Sequence, residues 1–276
     1  MKLKEYIPAL KTAYKLKQLP LDGLNAKGEN QIPLIVTLTS IPSRLEKIDL
    51  TIRSILNQSH KPEKIILWLN RALENHIPKK LSDLQGEIFK IEYEELTCSH
   101  RKLIYSLTSF PEKPLVTCDD DLIYPSNWLK SLYDDHLRFP KSIIANECRM
   151  ISYNEDGELQ PYKMWKTVKD KGISNPKLLP IGYGGVLYPE KTLHSDTINK
   201  EIFLKLTPKA DDLWFKMMSF LNGTEVRRST NPPLKPTPII GSQKISLKKT
   251  NVREDGNRAQ WAALCEHYLI TANSFK

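Results

Sequence analysis

Short apolar runs alternate with helix-like segments along the first half of the chain. The runs at 32–40 (IPLIVTLTS), 64–70 (KIILWLN) and 114–118 (PLVTC) are rich in β-branched and large apolar residues, as buried strands are. Residues 89–95 (FKIEYEE) alternate like a strand, and the segments 45–58 and 100–110 carry apolar residues at helical spacing. This order predicts an α/β fold, with a mostly parallel central sheet, right-handed connections and helices on both faces.

The second half of the chain has fewer regular patterns. Residues 142–153 (SIIANECRMISY) predict one or two further strands, whereas residues 155–180 are polar and irregular, as an active-site loop or a substrate-binding insertion would be. Residues 211–223 (DDLWFKMMSFLNG) predict an amphipathic helix that ends at Gly223. The four prolines of 231–242 predict no regular element there, and a last helix is expected over 254–270.

Composition bounds the class of protein. The 276 residues include 40% hydrophobic and 26% charged residues, which is ordinary for a globular protein. No apolar run approaches the roughly 18 residues of a membrane span, and the N-terminus lacks the apolar segment of a signal peptide. The four cysteines, Cys98, Cys118, Cys148 and Cys265, form no CxxC pair, so we expect reduced thiols in a cytoplasmic protein.

Three consecutive aspartates, Asp119, Asp120 and Asp121, directly follow the run PLVTC. They lie at the carboxyl end of a predicted central strand, which is the edge where ligands bind in open α/β sheets. Because like charges repel, water or a cation must compensate them. A D-x-D pair can bind Mg²⁺ or Mn²⁺ together with phosphate and water; the alternative is a solvated turn whose side chains cap the next helix.

Two other motifs carry candidate chemistry. The pair Asp211 and Asp212 opens a predicted helix, where a carboxylate suits either a cap or a reaction. The glycines of IGYGGVLYP (181–189) predict a close approach of the backbone, either to a sugar or to another strand.

The net charge of +9 favours an anionic partner, such as a phosphorylated substrate or an anionic membrane surface. One concentration of lysines interleaves with apolar residues at the N-terminus: Lys2, Lys4, Lys11, Lys15 and Lys17. This pattern is typical of a basic amphipathic segment on anionic lipid, although Pro8 interrupts the periodicity and a helix packed on the domain would look similar. The other lysines are scattered and form no basic stripe, so no nucleic-acid binding is predicted.

Four motifs together resemble GT-A-fold glycosyltransferases of the bacterial, nucleotide-sugar-dependent kind near family 2. They are residues 36–70, VTCDDDLIYPSNWL (116–129), GYGGVLYP (182–189) and ADDLWFKMM (210–218), and they occur in the order of that family. The similarity covers residues 32–228. It implies a Rossmann-like GT-A catalytic domain over 32–228, preceded by a basic segment and linker (1–31) and followed by a proline-rich stretch and helix (229–276).

The resemblance also implies roles for residues on the donor side. It assigns Asp119 and Asp121 to the metal and the sugar nucleotide, with Asp120 beside the donor sugar. Residues implied to contact the nucleotide or its diphosphate are Thr39, Ser40, Arg44, Arg101 and Lys102. Taken by themselves, the three basic residues among these could equally be solvated surface groups.

On the acceptor side, the resemblance implies that Asp212, or its neighbour Asp211, is the general base. The residues implied to bind the acceptor are Tyr183, Gly184, Gly185 and Trp165. A third metal ligand is not assigned; the candidates are His194, His267, Asn251, Asp255 and Asn257.

The predicted function is therefore a transferase that uses Mn²⁺ or Mg²⁺. It would move a sugar from a nucleoside diphosphate donor, with UDP expected, to a hydroxyl of a glycan or lipid-linked glycan, with inversion. The resemblance places it in surface polysaccharide assembly (capsule or lipopolysaccharide), in the cytoplasm or at the inner face of the membrane. The alternatives are a metal-dependent phosphohydrolase or nucleotidyltransferase that uses the same aspartates, and a non-catalytic basic binding module.

Overall fold

A computed structural model describes residues 3–28, 30–242 and 249–275. Its strands are β1 (Ile32–Thr39), β2 (Pro62–Asn70), β3 (Phe89–Glu94), β4 (Leu115–Thr117), β5 (Leu122–Ile123), β6 (Ile143–Ala145), β7 (Cys148–Met150), β8 (Leu178–Pro180), β9 (Val186–Tyr188), β10 (Val226–Arg228) and β11 (Thr237–Pro238). Its α-helices are α1 (Leu3–Gln18), α2 (Leu21–Asn25), α3 (Asp49–Leu56), α4 (Lys79–Ser82), α5 (Arg101–Ser109), α6 (Trp128–Arg138), α7 (Lys200–Leu206), α8 (Asp211–Leu221) and α9 (Gly256–His267).

The central sheet has seven strands in the order β10-β6-β9-β4-β1-β2-β3. Strand β9 runs antiparallel to its neighbours β4 and β6, and the other pairs are parallel. The predicted α/β class with a mostly parallel central sheet is confirmed.

Both faces of this sheet are covered, as β1 shows most clearly. Its side chains alternate, so that Ile35 packs into one core with α5, α8 and α9, while Leu34 and Val36 pack into a second core with α3 and α6. A strand buried on both faces needs apolar residues at every position. This is why β1 reads as a continuous apolar run.

The proline-rich stretch differs from its prediction, because Thr237–Pro238 forms the short strand β11 against β5. Proline is tolerated at a sheet edge, where its missing N–H is not needed. The next residue, Ile239, donates its N–H to the carbonyl oxygen of Asp121 at 2.9 Å. The stretch therefore supports the acidic turn.

The two ends of the chain lie against the central sheet domain. Helix α9 buries Trp261 and Leu264 in the core shared with α8. Helix α1 continues through Pro8 and contacts α3, so the expected interruption is absent; a proline in the second turn removes a single backbone hydrogen bond. Lys2 lies outside the described residues. No helix in the described part of the chain is long and apolar enough to cross a membrane.

Candidate active site

A cavity of about 870 Å³ opens at the carboxyl ends of β1 and β4. Ligands bind at this edge of open α/β sheets because the loops that follow parallel strands converge there. The cavity brings together most of the predicted residues: Thr39, Ser40, Arg44, Arg101, Lys102, Asp119, Asp120, Asp121, Tyr183, Asp211 and Asp212.

Arg44 compensates two of the three consecutive aspartates. Its guanidinium lies 2.5 Å from Oδ1 of Asp120 and 3.1 Å from Oδ2 of Asp121. Ser40 donates its hydroxyl to the other oxygen of Asp120 at 2.5 Å. Asp120 is buried and thus has an internal role, which was not predicted; its predicted contact with a donor sugar stays a prediction. Burial raises the pKa of Asp121 to about 7, although Arg44 opposes the shift.

The backbone of the acidic turn is held from several sides. The hydroxyl of Thr51 donates to the carbonyl oxygens of Asp120 and Leu122, at 3.0 and 2.8 Å. The hydroxyl of Tyr124 accepts the N–H of Asp119 at 2.9 Å. The carboxylates are therefore presented to the cavity on a rigid support.

Lys102 links the two acidic motifs. Its ammonium lies 3.4 Å from Oδ1 of Asp119 and 2.8 Å from Oδ2 of Asp211, and its side chain is buried. Asp119 is the most open of the three consecutive aspartates, with 36% of its side chain exposed. The buried ammonium of Lys102 thus holds the turn after β4 close to the start of α8.

Asp211 and Asp212 have different partners and different proton affinities. Asp211 accepts the hydroxyl of Ser99 at 2.8 Å, and although burial opposes it, Lys102 lowers the pKa of Asp211 to about 2. Asp212 accepts the N–H of Gly182 at 3.0 and 3.1 Å, and burial together with the charge of Asp211 raises its pKa to about 7. Helix α8 begins without a side-chain cap. No side-chain cap therefore forms, although both aspartates lie in the first turn, where their charge suits the helix dipole.

The acceptor contact predicted for Gly184 and Gly185 is wrong, and the alternative, a close approach to other parts of the protein, fits the structure. A Cβ on Gly184 would lie 2.8 Å from the side chain of Glu147, and one on Gly185 would lie 2.4 Å from Nε1 of Trp128. Gly185 also has φ of 92°, which favours glycine. These glycines are needed for packing inside the protein, so their backbone approaches neighbouring elements rather than a sugar.

Gly182 is the glycine that borders the site. A Cβ there would lie 2.9 Å from Oδ1 of Asp212, 3.2 Å from Nζ of Lys102 and 3.6 Å from Oδ1 of Asp119. The two acidic motifs therefore meet beside a backbone position where a side chain would displace the carboxylate of Asp212.

Trp165 is also wrongly predicted as a sugar platform. It is 1% exposed, and its indole N–H donates to the carbonyl oxygen of Gln160 at 2.9 Å. Its ring contacts Tyr162 and Trp261 in the core. A ring enclosed in this way cannot stack on a ligand.

Two predicted residues contact other parts of the protein as well as lining the cavity. Arg101 donates to the hydroxyl of Thr39 and to the carbonyl oxygens of Ser40 and Leu96, which fixes the turn after β1. The hydroxyl of Tyr183 donates to Glu147 at 2.9 Å, so its ring forms one wall of the cavity with a fixed orientation.

Three residues of the site were not predicted. Ser99 bonds Asp211, and Glu147 accepts both the hydroxyl of Tyr183 and the ammonium of Lys235 at 3.0 Å. Glu147 could have been recognised from the sequence, because it is the one acidic residue in the otherwise largely apolar segment 142–153. Ser99 and Lys235 carry no comparable signal, since their partners are distant in sequence.

The candidates for a third metal ligand separate by position. Asn251 and Asn257 line the cavity, and Asn251 donates to the carbonyl oxygen of Lys209 at 2.6 Å. His194 instead accepts the N–H of Asp196, and His267 packs on Tyr268 at the end of α9. Asp255 accepts the N–H of Tyr162 at 2.7 Å.

The acidic turn can supply carboxylate oxygens to a divalent cation, as Mn²⁺ and Mg²⁺ prefer. Asp119 offers the open carboxylate, while Asp121 lies deeper, against Arg44. Across residues 3–28, 30–242 and 249–275, no group of three or more His, Cys, Asp or Glu side chains could hold a metal. Two carboxylates fit such a cation when substrate phosphates and water supply the remaining ligands. The residues therefore fit a cation that binds together with a phosphorylated substrate.

No protein-family model matches the sequence, and no curated protein matches it. Among solved structures, the chain is similar to a mannosyltransferase from Pyrobaculum calidifontis in complex with GDP-Man and Mn²⁺, with 12% identity and a TM-score of 0.43. That match covers 87% of this chain and 67% of the other. The chain is also similar to 4-diphosphocytidyl-2C-methyl-D-erythritol synthase from Anaerococcus prevotii, with 14% identity and a TM-score of 0.47, over 86% of this chain and 96% of the other. Similarities this distant assign no activity to the chain.

Proposed function

We propose that this protein is a metal-dependent glycosyltransferase that uses a nucleoside diphosphate sugar. One observation carries the proposal: the acidic turn after β4 and the acidic start of α8 face one cavity, where Asp119 and Asp212 meet beside Gly182. Sugar transfer needs both groups within the length of one substrate. One carboxylate must stand near the diphosphate and a second near the attacking hydroxyl.

The donor side consists of the acidic turn and the basic residues around it. Asp119 and Asp121 would hold Mn²⁺ or Mg²⁺, which when bound neutralises charge on the leaving diphosphate. Arg44 and Lys102 place two further positive charges at the same wall of the cavity. The turn after β1, fixed by Arg101, would receive the nucleotide.

Asp212 is the proposed general base. Its carboxylate takes the proton of the acceptor hydroxyl while that oxygen bonds to the anomeric carbon, and the bond from that carbon to the diphosphate oxygen breaks. Attack from the side opposite the leaving group inverts the anomeric centre. A pKa near 7 suits this role, because the carboxylate is ionised near neutral pH and still has appreciable affinity for a proton.

The finer parts of the proposal rest on the sequence motifs. They favour UDP as the nucleotide and a glycan hydroxyl as the acceptor, in the assembly of a surface polysaccharide. They also favour residues 32–228 as the catalytic domain, and all seven strands of the central sheet lie within that range. We propose that residues 229–276 complete the domain through β11 and α9.

The test is the identity of the released nucleotide. The protein is incubated with Mn²⁺ and, separately, with UDP-, GDP- and dTDP-linked hexoses, and the products are separated by ion-exchange chromatography. A glycosyltransferase with water as a slow acceptor releases nucleoside diphosphate and free sugar. Nucleoside monophosphate would indicate a phosphohydrolase, and pyrophosphate from a nucleoside triphosphate plus sugar phosphate would indicate a nucleotidyltransferase. No turnover and no thermal stabilisation by any of these donors would contradict the proposal.

A further inference from the structure

The outer face of α1 carries large apolar side chains in contact with solvent. Tyr6, Ile7, Leu10 and Tyr14 are 41%, 66%, 56% and 66% exposed. A neighbouring face of the helix packs on the domain through Ala9 and Leu16, which are buried. The buried residues therefore hold the helix on the protein, and the exposed apolar side chains take no part in that contact.

These four residues lie on one side of the helix. Their spacing places them within an arc of about 100° at 3.6 residues per turn. Lys11 and Lys15 are exposed on one flank of this arc, and Lys17 is exposed in line with it near the C-terminal end of the helix. An apolar stripe with tyrosines and bordering lysines is the pattern of helices that lie in the plane of an anionic membrane surface.

A shallow apolar groove of about 190 Å³ extends this surface. It lies between α1 and the β5–β11 region. Its charged lining residues are Lys17, Lys47 and Lys80 together with Glu46 and Asp49, which lie 3.1 and 3.8 Å from the ammonium of Lys80. Pro238 lines both this groove and the large cavity. Leu10 of the exposed face lines this groove, so that part of α1 neighbours the proposed active site.

We infer that α1 is the membrane-docking element of this protein. The side chains of Tyr6, Ile7, Leu10 and Tyr14 enter the interfacial region of an anionic bilayer, and the lysines beside them contact lipid phosphates. A second copy of the chain is a poorer occupant, because two such faces would bring their lysines together. If the proposed function holds, docking brings the cavity to the membrane surface and favours a lipid-linked acceptor.

The test is flotation of the full chain with vesicles of phosphatidylglycerol or of phosphatidylcholine. We expect binding to phosphatidylglycerol vesicles that salt weakens, and little binding to phosphatidylcholine. The triple variant Ile7→Ser/Leu10→Ser/Tyr14→Ser should lose binding by about tenfold or more. The matched control is Leu137→Ser/Leu234→Ser/Leu269→Ser, which removes three apolar residues of similar or greater exposure elsewhere and should bind like the unaltered protein.

Equal binding by the two triple variants, or no preference for phosphatidylglycerol, would overturn the inference. A dimer in sedimentation velocity that the α1 variant abolishes would assign the face to self-association instead. Release of nucleotide from a soluble donor is measured in parallel and should be unchanged in both variants. The two assays are therefore independent. Loss of vesicle binding would contradict the docking inference alone, and absence of turnover would contradict the proposed function alone.

Discussion

Asp211 and Asp212 are adjacent in sequence, but their environments give them different chemistry. Asp211 faces the ammonium of Lys102, which keeps it ionised at any physiological pH. Asp212 faces the N–H of Gly182 and the negative charge of its neighbour, and it exchanges a proton near neutral pH. When the environment gives two carboxylates different pKa values, one can stay ionised and stabilise charge while the other transfers a proton.

The role of Asp212 can be tested by the pH dependence of nucleotide release at saturating donor and Mn²⁺. The base works only when ionised, so the rate should rise with pH up to about 7 and then level off. Asp212→Asn should lower the rate by about 10²- to 10⁴-fold and remove this rise, with donor affinity within a few-fold. A rise that persists in Asp212→Asn would assign the titration to another group.

The role of Asp211 can be tested by stability. Asp211→Asn should lower the free energy of unfolding by about 3 kcal/mol, since it removes the nearest carboxylate from the buried ammonium of Lys102. Asp212→Asn should leave that free energy equal or higher at a pH of about 8, because ionised Asp212 is disfavoured in the folded state. Urea titrations measure both. Equal losses in the two variants would contradict the assignment.

The turn at 182–184 positions α8 against the acidic turn after β4. Gly182 donates its N–H to Asp212, and a Cβ at this position would lie 2.9 Å from that carboxylate and 3.6 Å from Asp119. The chemistry of the site thus depends on how three elements from distant parts of the sequence meet.

Gly182→Ala tests this junction. The added methyl group would lie 2.9 Å from the Asp212 carboxylate and must displace it, so nucleotide release should fall by about 10²-fold with little change in melting temperature. Gly23→Ala is the matched control, because its methyl group would meet only Pro20 at 3.6 Å in α2. Turnover by Gly182→Ala as fast as by Gly23→Ala would show that the junction does not set the geometry of the base.

The helices and strands whose apolar residues recur with a clear period were predicted from the sequence. The apolar runs became β1, β2 and β4, and the aspartates lie at a strand end because carboxyl ends of parallel strands share one edge. Strand β11 was not predicted because proline is rare within strands. At the edge of a sheet proline is tolerated, since its missing N–H is not needed there.

Details of the site depended on contacts that no local pattern encodes. The sequence motif does not show which of Gly182, Gly184 and Gly185 borders the site. In the structure, Gly184 packs on Glu147 and Gly185 packs on Trp128, whereas Gly182 lies beside Asp212. Trp165 lies in a polar segment and was predicted to bind the acceptor, but its ring packs on Trp261 of α9. The ion pair of Arg44 with Asp120 joins residues far apart in sequence.

Described segments from distant parts of the chain line the two neighbouring cavities. The N-terminal helix, the acidic turn, the proline-rich stretch and the residues near 251–257 all border the two cavities described above. The net charge of +9 gives this arrangement an overall attraction for anionic partners. A phosphorylated donor and an anionic membrane both fit that field.

Coupling between a metal ion and a nucleoside diphosphate tests the proposed function most directly. If Asp119 and Asp121 hold a cation that the diphosphate helps to bind, each ligand must raise the affinity of the other by the same factor. Isothermal titration of UDP, with and without Mn²⁺, measures that factor in the unaltered protein, Asp119→Ala and Asp121→Ala. Asp156→Ala, at an exposed turn, is the matched control.

We predict that Mn²⁺ raises UDP affinity by about tenfold or more in the unaltered protein and in Asp156→Ala. The same addition should change UDP affinity little in Asp119→Ala and Asp121→Ala, whose folding is checked by thermal unfolding without ligands. UDP affinity that is equal with and without Mn²⁺ in all four proteins would contradict a metal-dependent nucleotide-sugar site.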